Sequence, residues 1–191
     1  MSSLAYDLVL LDRDGVINKD LPTSVRSLVD FQFIPSSPEA IAHLCQKNLK
    51  VALVTNQAVV GRGDLSLGDL EDIHRKMLLA LEEKGGRLDR LYQCVDTTIE
   101  PHNRRKPAPG MLLEACNDLN ISPERTLMIG DALRDFQAAQ RAGCDFALVR
   151  TGKGLITEQE LQEALKSPHT LPIKLRGVYD DLQAAVLNIF P

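Results

Sequence analysis

The sequence has no tryptophan, and its 3 tyrosines and 5 phenylalanines make aromatics only 4% of 191 residues. A core built from it must be aliphatic, and the flat side chains on which a nucleic acid stacks its bases are scarce. Basic charge is not in excess either. The 22 Lys and Arg stand against 26 Asp and Glu, a formal charge of −4, which gives no long-range attraction to a polyanion. No window approaches the ~18 consecutive apolar residues of a membrane span, and Met1 to Asp7 lacks the basic-then-apolar layout of a secretory signal. The expectation is a cytoplasmic protein with neither nucleic acid nor membrane as partner, a monomer by default. Cys45, Cys94, Cys116 and Cys144 are far apart, with no Cys-x-x-Cys, so neither a disulfide framework nor a compact zinc site is signalled. Linkers and repeats are missing too, and the length suits one domain over residues 1–191.

What the sequence does contain is a set of short aliphatic runs, at residues 7–11, 50–55, 90–95, 126–129 and 145–149. Each is apolar on both alternating faces, the pattern of a strand buried on both sides of a parallel sheet. Helical patterns separate them, at 38–48, 66–84, 109–119, 133–142, 157–166 and 179–187. The first opens Ser36-Ser37-Pro38, a serine cap followed by proline at the first helical position. The second repeats Leu67, Leu70, Ile73, Met77, Leu78 and Leu81 at close to 3.6 residues and stops at Gly85-Gly86. Residues 167–172 read as a loop. Alternation of this kind predicts an α/β fold, a doubly wound and mostly parallel sheet covered by helices.

Ligands of such sheets bind beyond the carboxyl ends of the strands, and there the sequence is polar: Asp12-Arg13-Asp14-Gly15, Thr55-Asn56-Gln57, Gly130-Asp131, and Arg104-Arg105-Lys106 ahead of a helix. An aspartate is ionised at neutral pH and can attack without a base. Its attack on a phosphate needs an intervening cation, and Asp12 with Asp131 provides the oxygen donors that Mg²⁺ prefers. Thr55 and Lys106 would hold the remaining phosphoryl oxygens, where transition-state charge gathers. Asp14 is then left for general acid–base work, a role that calls for a carboxyl pKa raised above the ordinary value.

These residues, with Asp135, resemble in order and spacing the four motifs of the haloacid dehalogenase-like phosphohydrolases. Over residues 7–153 the resemblance is to the branch of D-glycero-D-manno-heptose 1,7-bisphosphate 7-phosphatases and histidinol-phosphate phosphatases. It is carried by Leu11 to Asn18, Val54 to Gln57 with Gly61-Arg62-Gly63, Arg105 to Met111, and Arg150 to Lys153. The resemblance implies a Rossmann-like fold without a large cap domain. It makes Asp12 the nucleophile and Asp14 the acid and base, with Mg²⁺ on Asp12, the Asp14 carbonyl and Asp131. Thr55 and Lys106 would steady the phosphoryl group, Asn56, Gln57 and Arg105 would meet the substrate, and Asp135 would support Lys106 or the metal. The sequence departs from the branch twice. Where many relatives carry a zinc loop of Cys-x-His and Cys-x-Cys, only Cys94 keeps its type, near His102, so a structural zinc is not expected. Ala132 also stands where a substrate-contacting lysine often follows the aspartate.

The function expected is hydrolysis of a small phosphorylated sugar, foremost the heptose bisphosphate used for cell-surface heptose. Histidinol-phosphate phosphatase is the rival enzyme. A nucleic-acid 3′-phosphatase is disfavoured by charge and composition, and a phospho-ligand-binding protein by the retention of both Asp12 and Asp14. His43 and His74 fall within helical patterns and read as incidental, and Arg104 reads as a solvated loop residue.

Overall fold

The computed structural model describes residues 6–98, 103–164 and 175–191. Six strands form one all-parallel sheet: β1 (Leu8–Leu11), β2 (Lys50–Asn56), β3 (Arg90–Cys94), β4 (Thr126–Gly130), β5 (Asp145–Val149) and β6 (Leu175–Tyr179). The helices are α1 (Ser37–Gln46), α2 (Ala58–Gly61), α3 (Leu67–Glu83), α4 (Gly110–Leu119), α5 (Leu133–Ala142), α6 (Gly154–Ala164) and α7 (Leu182–Ile189). Strand order is β3-β2-β1-β4-β5-β6. The chain steps one way from β1 to β2 and the other way to β4, so the crevice beyond β1 is a topological switch point.

Strand alternation sorts the aliphatic residues onto two faces. Val9, Leu11, Val51, Leu53, Leu127 and Ile129 point to one side and pack with Ile41 and Leu44 of α1, Ile73 and Met77 of α3, and Val186 of α7. Leu8, Leu10, Ala52, Val54, Met128 and Leu148 point to the other, against Met111 and Leu112 of α4, Phe136 and Ala139 of α5, and Leu161 of α6. The result is a three-layer α/β/α arrangement in which the central strands are wholly buried, as their unbroken apolar runs require.

The elements differ from the sequence reading in three places. Strand β6 was not foreseen: Leu175-Arg176-Gly177-Val178-Tyr179 is an edge strand, only half buried, and has no continuous apolar run. It pairs with β5, and the following α7 covers the sheet beside α1. Helix α2 is a single turn, too short to show a period. The expected serine cap of α1 does not form. Ser36 adopts a left-handed conformation (φ 68°) without a side-chain cap, while the Ser37 hydroxyl donates to the Ile17 carbonyl at 2.7 Å. Ser66, by contrast, does cap α3, accepting from the Asp69 N–H at 3.0 Å. The loop read at residues 167–172, and His102, lie outside the described residues. Between β1 and α1 the chain makes only isolated bridges, Asp14 with Asn18 and Asn18 with Phe33, leaving the switch point without a capping layer from this segment.

Candidate active site

Asp12 immediately follows β1, Thr55 and Asn56 end β2, and Asp131 follows β4, so three adjacent strands deliver their polar ends to one place. The loop before α4 brings Lys106 over them. Its ammonium, buried with the rest of the side chain, lies 3.0 Å from Asp12 Oδ1 and 2.8 Å from Asp135 Oδ1. Burial alone would drive a lysine toward its neutral form, but these two carboxylates outweigh it and raise its pKa. The Arg13 N–H also donates to Asp12 Oδ1, at 2.7 Å, so neither contact uses Asp12 Oδ2.

Asp131 is enclosed. Its Oδ2 accepts the Lys153 N–H at 2.8 Å, and Oδ1 is buried with no hydrogen-bond partner. Gly15 and Gly152, both at positive φ (85° and 59°), press against the same carboxylate, and a Cβ on either would collide with it. The Thr151 hydroxyl donates to the Gly15 carbonyl at 2.6 Å and holds the two loops together. Ligand oxygens of Asp12, Asp131 and Asp135 come within 4.8 Å of one another. Burial and mutual repulsion push Asp12 up to about 6 and Asp131 up to about 8, Lys106 countering part of the effect at Asp12. Three crowded carboxylates, one with an orphaned buried oxygen, fit a hard divalent cation such as Mg²⁺. Asp12 and Asp131 are the side chains available to hold it. Asp135 is committed elsewhere: Oδ1 faces Lys106, and Oδ2 accepts the Ala132 N–H at 3.1 Å, tying the start of α5.

Asp14 is also heavily bonded. Arg13 Nη2 donates to its Oδ1 and Oδ2 at 3.0 and 3.1 Å, Asn18 Nδ2 to Oδ1 at 2.9 Å, and Gln57 Nε2 to Oδ2 at 2.9 Å. Burial acts to raise its pKa, but the Arg13 charge and these hydrogen bonds prevail and lower it. The raised value expected of an acid is therefore not found in the free protein. Gln57 also donates to the Thr55 hydroxyl at 2.8 Å, so it spans two site residues. Asn56 forms a reciprocal pair with the Lys106 main chain, accepting its N–H at 3.0 Å and donating to its carbonyl at 2.9 Å. Its amide therefore secures the lysine loop.

A small cavity of about 140 Å³ opens beside Asp14 and Gln57. Four cations from four loops or helices line it: Arg62 after α2, Arg105 beside Lys106, Arg134 on the first turn of α5, and Lys153 before α6. Arg105 is held by its Nη1 hydrogen bond to the Asp96 carbonyl at 2.9 Å. Arg134 stays charged against partial burial because Asp135, Asp12, Asp131 and Asp20 surround it. Sequence reading missed Arg134, Asn18, Thr151 and the whole Arg13–His74 pair. Arg134 carries a signal in hindsight, a cation two residues beyond the position where Ala132 replaces lysine. A larger apolar groove of about 990 Å³ lies between α3 and β3, lined by Leu67, Leu78 and Leu91, and Asp12 and Asp131 do not border it. Among the described residues the acidic triad is the group able to gather round a metal. Cys94 is buried at the end of β3, its Sγ donating to Asp96 at 3.5 Å.

This fold and this arrangement of strand-end aspartates, threonine and lysine define a hydrolase class that sequence comparison identifies independently. The haloacid dehalogenase-like hydrolase model matches residues 24–143, and a second model of the same class matches residues 103–185; the chain belongs to this family. Within it, the chain is 38% identical over 147 residues to the D-glycero-beta-D-manno-heptose-1,7-bisphosphate 7-phosphatase of Neisseria meningitidis, covering 77% of this chain and 79% of that protein. It is 36% identical over 177 residues to the protein of that name from Pseudomonas putida, covering 93% and 95%. The crystal structure of D,D-heptose 1,7-bisphosphate phosphatase from B. bronchiseptica, complexed with magnesium and phosphate, superposes with a TM-score of 0.86 at 34% identity, over 96% of this chain and 97% of that one.

Proposed function

We propose that this phosphatase removes the 7-phosphate of D-glycero-D-manno-heptose 1,7-bisphosphate, acting through a phosphoryl group carried on Asp12 and using Mg²⁺ held by Asp12, Asp131 and the Asp14 carbonyl. An Asp12 oxygen bonds to phosphorus as the ester P–O bond to the sugar breaks. The departing oxygen takes a proton from Asp14. That carboxyl is ionised in the free protein, so it takes up its proton as the anionic substrate settles beside it. In the second step water attacks phosphorus, Asp14 takes the water's proton, and the Asp12–phosphorus bond breaks to regenerate the carboxylate. Lys106 and the Thr55 hydroxyl, fixed by Asp135 and Gln57, supply positive charge and a hydrogen bond to the phosphoryl oxygens in both steps. Bound Mg²⁺ supplies the further neutralisation that lets a carboxylate approach a phosphate dianion.

The observation that carries the substrate reading is the cavity beside Asp14. Its four cations suit a second phosphate at the far end of the sugar and repel the amine of histidinol phosphate. The names of the curated relatives agree with this choice. The test is kcat/KM of the purified protein, with Mg²⁺, on heptose 1,7-bisphosphate, heptose 7-phosphate and histidinol phosphate. A preference for the bisphosphate of roughly 100-fold over histidinol phosphate is expected, the value of one or two charge-assisted contacts. Equal or better turnover of histidinol phosphate overturns the reading. Location in the cytoplasm belongs to the same proposal; no helix among the described residues is long and apolar enough to cross a membrane.

A further inference from the structure

Arg13 stands between the two aspartates of the first strand end, and its side chain is completely buried. A guanidinium has no acceptor, so each contact it makes is a donation. Nη2 forks onto both oxygens of Asp14 at 3.0 and 3.1 Å, and Nη1 meets His74 Nε2 at 3.1 Å. The main chain is wound round the same residue, its carbonyl accepting the N–H groups of Ile17 at 2.8 Å and Asn18 at 3.1 Å. His74 belongs to the buried face of α3, with Leu70, Ile73 and Met77. It is 61 residues from Arg13 in sequence and has no place in the chemistry described above.

We propose that His74 is a positioning residue for the reaction: through Arg13 it fixes the direction in which Asp14 presents its carboxylate to the leaving oxygen. The proposal rests on the reading of Asp14 as acid and base. With Nη1 seated on His74, the guanidinium plane is set from the rigid α3 side and cannot turn about its own axis. Nη2, shared between the two Asp14 oxygens, in turn sets where that carboxylate lies. For Nε2 to accept, the ring must be neutral with its proton on Nδ1. Burial, and then the adjacent Arg13 charge, lower the His74 pKa to about 3 against the pull of Asp14, so the strut does not loosen at neutral pH. Asn18 and Gln57 hold Asp14 from other directions. Arg13 alone couples it to a helix core. A histidine that reads as incidental on a helical face is in this way tied to the reacting atoms.

Proton donation in the phosphorylation step, which kcat/KM reports, matters for an alkoxide leaving group and hardly at all for p-nitrophenolate, so kcat/KM on the two esters separates positioning of Asp14 from general damage. The second step, with Asp14 as base, is common to both and enters kcat alone. The substitution His74→Phe keeps a ring in the α3 core and removes the acceptor; His74→Gln keeps an acceptor; Arg13→Lys keeps the buried charge and loses the second nitrogen that ties Asp14 to His74. For His74→Phe and Arg13→Lys, kcat/KM on an alkyl or sugar phosphate is expected to fall roughly 10- to 100-fold, with kcat/KM on p-nitrophenyl phosphate within about threefold. His74→Gln should recover most of the loss. If one of the disruptive variants does not fold, the other gives the comparison, since each breaks the strut at a different link. An equal fall in kcat/KM on both esters shows a merely structural role and overturns the proposal, as does an unchanged kcat/KM for the alkyl ester. Native protein that hydrolyses neither ester would instead refute the phosphatase mechanism itself, an outcome read before any variant is compared.

Discussion

Lys106 lies between two carboxylates from different elements, 3.0 Å from Asp12 on the first strand end and 2.8 Å from Asp135 on α5, with all three side chains buried. The two partners have different duties. Asp12→Asn removes the nucleophile, and turnover should fall at least ~10³-fold with no phosphorylated protein trapped on acid quenching. Recovery of near-native activity would mean that phosphorus is attacked by water directly. Asp135→Ala leaves the ammonium with one buried partner and the Ala132 N–H with none. Removing half of a buried ion pair costs about 3–5 kcal/mol, so this variant should lose stability as well as activity, visible as an earlier denaturant midpoint at unchanged slope.

Asn56 gives the second prediction, because its amide is engaged on both sides by the Lys106 main chain. The substitution Asn56→Ala removes two hydrogen bonds of about 1 kcal/mol each and frees the loop that carries the lysine. Activity should fall by a similar factor on p-nitrophenyl phosphate and on the sugar phosphate, since what is lost is placement of the phosphoryl-binding ammonium. A loss confined to the sugar ester would show that Asn56 acts on the substrate, the role expected from its motif.

Gly152 carries the third. Its φ of 59°, and the Asp131 carboxylate standing where a Cβ would go, leave no room for a side chain. Gly152→Ala should displace the Asp131 carboxylate and weaken Mg²⁺ binding at least ~10-fold, with little change in KM for substrate once Mg²⁺ is saturating. Activity titrated against Mg²⁺ concentration measures this. An unchanged Mg²⁺ midpoint would show that Asp131 is not a ligand.

The fourth concerns pH. A carboxyl whose pKa is raised on folding holds its proton more tightly in the folded chain, so its contribution to stability is present at low pH and is lost as pH rises through the folded value. For Asp131 the window runs from the ordinary 3.8 to about 8. His74, lowered to about 3, acts in the opposite sense below its ordinary 6.5, leaving pH 6.5 to about 8 as the interval in which Asp131 stands out. Without metal, Tm of the native protein should fall across that interval relative to Asp131→Asn, which has no proton to lose. Added Mg²⁺ should raise Tm of the native protein more at pH 8 than at pH 6.5. Parallel profiles for the two proteins would contradict the picture of a strained, metal-seeking carboxylate.

Much of this was legible in the chain before any coordinates. Five of six strands are aliphatic runs because burial on both faces tolerates nothing else, and the residue after each central strand is where a parallel sheet exposes its chemistry. Asp12, Thr55 and Asp131 were readable for that reason, and Lys106 through its motif. The edge strand β6 was not, since an edge needs no apolar run and Arg176 and Gly177 interrupt one. Nor were roles that arise only across the fold: His74 meets Arg13 over 61 residues, and Thr151 meets Gly15 over 136. For Asn56 the sequence could not show the second duty, because a residue at a strand end can face the ligand or brace a neighbouring loop; here it lines the cavity and its amide also braces the Lys106 loop.

Arg134 offers the last prediction. It reaches the cavity from α5, and its Nε is buried without a hydrogen-bond partner. Asp20 sits nearby and pairs with Lys153 at 3.4 Å, so part of the cationic lining is already balanced, and Arg134 is the group with most to gain from an incoming phosphate. Arg134→Gln should raise KM for the bisphosphate roughly 10-fold, the worth of one charge-assisted contact, while kcat/KM for p-nitrophenyl phosphate, which has no second anionic group, stays within about threefold. The selectivity between bisphosphate and 7-monophosphate should shrink by the same factor. If both esters suffer equally, Arg134 acts on the carboxylates of the reacting centre, and the cavity is then not where the second phosphate binds.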